Sequence, residues 1–159
     1  MSEILSSYVK ISYSPRWAYV QNIRDFVKNF CVNSQLPNDI SDKIMIVASE
    51  LLENAVKYSY KEDVSFKMEI APNDNNVNIS VSNYSEEKNS KILRQELDDV
   101  NSLPPQEAYL KNLARVAQNP NISRLGFSRI RYETNATFDL SIEGDHVLVV
   151  CKVPITQAQ

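Results

Sequence analysis

Hydrophobic positions along the chain follow two rhythms, a period of two and a period of three to four, and the switches between them lay out its elements. Val9, Ile11 and Tyr13 alternate with polar neighbours and predict a strand over 8–13. Ser14 and Pro15 then read as an N-cap and a first-turn proline. They open a helix to about Val32 with Trp17, Val20, Ile23, Val27 and Phe30 inward. Leu36-Pro37-Asn38-Asp39 breaks it. A second helix starts between Asp39 and Asp42 and ends near Ser59, with Ile44, Val47, Ala48, Leu51, Leu52 and Ala55 on one face. Strict alternation returns over Val64–Ala71 and, after the turn Pro72–Asn76, over Val77–Asn83, a hairpin with one wet face. By that alternation Asn83 points inward at the strand's end. Two charged amphipathic helices follow over 86–101 and 103–118, split near Leu103-Pro104-Pro105 and stopped by Asn119-Pro120. A short helix opens at Ser123, and a final hairpin turns at Gly144, with Ala136, Phe138, Leu140 and Ile142 facing Val147, Val149, Cys151 and Val153.

Every strand in this order is one-sided, so each needs a covering layer on one face only. The expected fold is α+β: a two-layer sandwich with a mixed, mostly antiparallel sheet and helices on one face. Residues 1–159 form one domain in this reading, with its core in about 8–155.

Composition narrows the function. A net charge of −3 and a pI near 5.2 offer no general attraction to nucleic acid or an anionic membrane. The first residues lack the basic start and apolar run of a secretory signal, which points to the cytoplasm. Cys31 and Cys151 both fall in apolar patterns and read as reduced, buried thiols. The single histidine, His146, excludes a multi-histidine metal site and argues against histidine autophosphorylation. With only two glycines, Gly126 and Gly144, no Walker or dinucleotide loop can be built.

The chemistry worth weighing lies on the second helix. Glu50 and Asn54 fall ~40° apart on one flank of its apolar face, with Lys57 beside them. Alone, that stripe is an ordinary solvated flank. Its setting, Ser49-Glu50-Leu51-Leu52-Glu53-Asn54-Ala55-Val56-Lys57-Tyr58-Ser59, resembles the N box of the histidine-kinase-like ATPases, the GHKL superfamily. Within it, the chain looks most like the stand-alone bacterial anti-sigma factors with serine-kinase activity. The resemblance covers roughly 8–155 and implies ATP and Mg2+ as cofactors. It gives Asn54 the magnesium ion and Glu50 the attacking hydroxyl, roles suited to a hard oxygen ligand and to positioning chemistry.

Elsewhere the pattern departs from the family. Asn83 stands where the family's adenine-reading Asp does, but the segment Asn83–Glu87 lacks both glycines of that box. Asn83 can still accept the adenine amino group. Arg124-Leu125-Gly126 resembles the second glycine box, with Arg124 replacing a glycine and Gly126 kept. A helix N-terminus there suits phosphate, with Lys57, Arg124 and Arg129 as added charge, although a solvated basic helix explains the arginines equally well. At the place of the family's water-bridging Thr stands Ala136, with Thr137 facing the other way. Two functions therefore compete: a serine/threonine kinase of the anti-sigma type, and a catalytically inactive scaffold that binds a protein partner. A pocketless superfamily look-alike is a third. The resemblance implies a protein partner, a STAS-domain antagonist or a sigma factor, and leaves a homodimer open.

Overall fold

The computed structural model describes residues 3–119 and 126–155. The elements run β1 (Ser7–Tyr13), α1 (Trp17–Asn33), α2 (Asn38–Tyr58), β2 (Val64–Ala71), β3 (Asn76–Tyr84), α3 (Glu87–Asn101), α4 (Pro105–Gln118), α5 (Gly126–Thr134), β4 (Thr137–Glu143) and β5 (His146–Pro154). Their order is the one that the apolar rhythm predicts. The start of the last helix, placed at Ser123 in the sequence reading, lies outside the described residues.

The sheet has the order β1-β2-β3-β5-β4. Every ladder is antiparallel, so the expected mixture of pairings does not occur among the described strands. The reason is the helical pair between β1 and β2. A parallel neighbour needs a single crossover, whereas α1 and α2, joined by a short loop, bring the chain back to the end it left.

One face of the sheet carries the core. Phe66, Met68 and Ile70 of β2, Val77 and Ile79 of β3, and Cys151 and Val153 of β5 are fully enclosed. Ile44, Val47, Ala48, Leu51 and Leu52 of α2 meet them, which makes α2 the central helix. Cys31 and Cys151 are free and buried, and burial pushes the Cys31 thiol up to about 11.

The start of α1 differs from expectation. Arg16 N–H donates to the Ser14 carbonyl at 2.8 Å, a three-residue turn whose centre suits proline's fixed φ. Arg16 is left extended at the N-cap without a side-chain cap, and the helix begins at Trp17. Trp17 is 60 % exposed rather than buried, and Phe30, near the other end of α1, is only half-buried. No described helix is long and apolar enough to cross a membrane.

Candidate functional site

Glu50 and Asn54 sit one turn apart on the flank of α2, held by the core-facing row beside them. Asn54 Nδ2 donates to Glu50 Oε1 at 3.4 Å. That bond commits the amide nitrogen and turns the carboxamide oxygen, the harder ligand, elsewhere. The Glu50 carboxyl titrates above its ordinary value of 4.5, chiefly because it is desolvated and then because Glu53 repels its charge. The Asn54 bond, Arg129 and Lys57 oppose this.

Gly126, at the first described turn of α5, presses against the same carboxylate. A Cβ there would lie 1.8 Å from Glu50 Oε1 and 2.2 Å from its Cδ. The contact exists because position 126 has no side chain. The sequence names both residues but gives no sign that they touch.

Glu50 lines a wide groove and a narrow gap, and the gap shares Asn54 and Leu93 with a slot that Glu50 does not itself line. On one side an open groove of about 480 Å³ runs between α1, α2 and α5, bordered by Arg24, Ser49, Glu53 and Arg129. Arg24 Nε is buried in it without a hydrogen-bond partner among the described residues. Arg129 Nε donates to Glu133 Oε1 at 3.1 Å. Arg24 belongs to no motif on the flank of α1, so nothing in the sequence marks it.

On the other side Asn54 and Asn83 line a common slot over Val81 and Val149, with Phe127 closing one wall. Asn83 does point inward, 8 % exposed, at the end of the central strand. The slot measures only about 30 Å³, because Asn89 and Leu93 of α3 lie across it. A neighbouring gap bounded by Glu50, Asn54, Ile92 and Glu96 measures about 20 Å³. Small-molecule sites commonly span ~300–1,000 Å³, whereas ~10–15 Å³ suffices for a single water. The side-chain types therefore fit a magnesium nucleotide, but with α3 in this position the space does not.

Lys57 is exposed, over the Tyr58 ring at 5.2 Å, and lines neither space. Thr137 faces out and Ala136 is buried, as their alternation requires. Arg124 and Leu125 lie outside the described residues. No group of three His, Cys, Asp or Glu side chains placed to hold a metal ion occurs among the described residues.

Residues 13–120 match the family described as the histidine kinase-like ATPase domain. Among solved structures, a chain of the SiaB–SiaC complex from Pseudomonas aeruginosa superposes with a TM-score of 0.69 at 15 % identity, covering 91 % of this chain and 88 % of that one. The histidine kinase domain of the blue-light activated histidine kinase from Erythrobacter litoralis EL346 gives a TM-score of 0.46 at 16 % identity, over 87 % and 60 % of the two chains. No curated protein sequence matches.

Proposed function

Because the chain belongs to the histidine kinase-like ATPase domain family, we propose that it is a regulatory ATP-binding protein of the anti-sigma factor and serine/threonine kinase type, acting by exchange of protein partners. The observation that carries this reading is the Glu50–Asn54 pair pressed against Gly126. A partner-binding surface has no evident use for a half-buried carboxylate held by a carboxamide. Desolvation raises the proton affinity of Glu50, which suits it to accept a proton from a hydroxyl brought in along the open groove. Asn54 is the proposed magnesium ligand and Asn83 the adenine acceptor, with Gly126, Arg124, Leu125 and Lys57 on the phosphate side. A bound magnesium nucleotide would supply the transferable phosphoryl group. With α3 across the slot no transfer step is assigned to this arrangement. A relative in fold solved as a two-protein complex supports a protein partner, for which a STAS-domain antagonist or a sigma factor is the proposed class.

One observation favours a second reading, a scaffold without phosphoryl transfer: the slot of about 30 Å³ beside a glycine-free Asn83–Glu87 segment. Calorimetry with magnesium and ATP separates the two. Wild type is expected to bind, and Asn54→Ala to lose the magnesium-dependent binding while its melting temperature stays within about 2 °C, since Asn54 lies outside the core row. Loss of stability at unchanged affinity would make Asn54 a structural amide. No binding by wild type or by variants with a loosened α3 would leave the scaffold.

A further inference from the structure

We infer that α3 is a built-in stopper over the Asn54/Asn83 slot and that Arg131 is the latch that keeps it there. This rests on reading the slot as the nucleotide site, and it explains why Asn54 and Asn83 are present while the space is closed.

The stopper is a side chain as well as a helix. Leu93 projects from α3 into both narrow gaps, facing Asn54 and Phe127, and Asn89 lies one turn before it. Removing α3 from this position would join the two gaps into one space along the flank of α2 that carries Glu50 and Asn54.

The apolar burial of α3 is confined to its last turns, where Leu97 and Val100 join the core. Its buried residues are Ser90, Leu97 and Val100, whereas α2 buries nine. A helix with fewer buried residues than α2 lies nearer the low-stability end of the fold, where local opening is drawn from. Its last turn contains no basic residue, and the final carbonyls of a helix lack intrahelical donors. Arg131 of α5 supplies what is missing. Its Nη1 donates both to the Val100 carbonyl, in the last turn of α3, and to the Leu103 carbonyl in the loop that follows. A cation at a helix C-terminus also meets the negative end of its dipole. One half-buried guanidinium thus ties the end of α3 to α5, the helix whose Gly126 touches Glu50.

α5 is itself anchored to α4. Asn112 Nδ2 donates to Ser128 Oγ at 3.0 Å, and the Tyr109 and Tyr132 rings stack at 5.0 Å. The latch therefore pulls against a fixed helix, and a partner that drew the guanidinium away would release α3 and admit nucleotide. When the competent state is a minor fraction of the population, apparent affinity falls by that fraction.

The test compares wild type, Arg131→Ala and Leu93→Ala by hydrogen exchange and by calorimetry with magnesium and ATP. Arg131→Ala is expected to speed exchange of α3 amides while those of α2 stay protected. It should tighten ATP binding by roughly ten- to a hundredfold, the factor that charge-assisted hydrogen bonds contribute to an opening equilibrium. Adding Asn54→Ala should cancel the gain. Leu93→Ala leaves the latch in place and shortens the stopper, so it must tighten binding too, even if Arg131→Ala fails to fold. Unchanged α3 exchange in a folded Arg131→Ala overturns the latch. Loosened α3 without tighter binding overturns the stopper: if wild type binds ATP, the nucleotide site survives, and if no form binds, the site falls with it.

Discussion

Glu50 is held in an environment that disfavours its charge, and that leaves a signature in stability. Its carboxyl binds a proton more tightly in the folded chain than in the unfolded one. The group therefore favours folding below the ordinary value of 4.5, and this advantage is lost as pH rises through the raised folded value. Gln is neutral at every pH and still accepts from Asn54. Glu50→Gln should thus melt above wild type at pH 7, with the difference closing as pH falls below 4.5; a gap independent of pH would show that packing, not charge, sets it. Gly126 offers a second handle on the same carboxylate. The added methyl of Gly126→Ala would strike the flexible end of Glu50, so the side chain is expected to swing into water while the helix stays. Its titration, followed by carboxyl-carbon NMR, should then fall towards 4.5. Glu50 and Asn54 were legible as a pair from helical spacing alone. Their meeting with Gly126 was not, since a contact across 76 positions of sequence has no periodicity to announce it.

At the scale of elements, legibility followed the strength of the apolar rhythm. The core row of α2 is buried as its spacing predicts, and Leu51→Ala should cost about 2–5 kcal/mol in denaturant unfolding. A loss below about 1 kcal/mol would mean that the row is not the core. Helix ends were harder to read, because they depend on single backbone conformations. The C-terminus of α1 is a case. Leu36 N–H donates to the Cys31 carbonyl and Gln35 N–H to the Val32 carbonyl, the paired bonds of a Schellman motif. Its left-handed position is filled by Gln35 at φ 63°, where glycine is usual. In a chain with two glycines that stop has no sequence flag. Gln35→Gly should raise stability by about 0.5–1 kcal/mol, the relief of a left-handed non-glycine residue less the added chain entropy. α3 shows the opposite case: its amphipathic pattern was readable as a helix, but not that Leu93 and Asn89 would close the slot.

The whole molecule follows from one sheet buried on one side. β3 is the central strand, flanked by β2 and β5, and it delivers Asn83 to the edge of the core beside α2. The α+β sandwich was legible because period-two strands with one apolar face leave few other layerings. The uniform antiparallel pairing was not, because it depends on how two helices route the chain. Both hairpins and α2 feed one continuous cluster of buried side chains, which α1, α5 and the last turns of α3 join. A shared core of this kind unfolds as a unit, so residues 1–159 are expected to act as one cooperative domain. Guanidinium unfolding followed by far-ultraviolet circular dichroism should give one transition, coincident with that from tyrosine absorbance. Trp17 is a poor third probe: at 60 % exposure its emission is already that of a wet indole, and it should shift little on unfolding. Two separated transitions, or a large blue-to-red shift of Trp17 at one of them, would mean that α1 is docked on something else and that the sheet is not the only core.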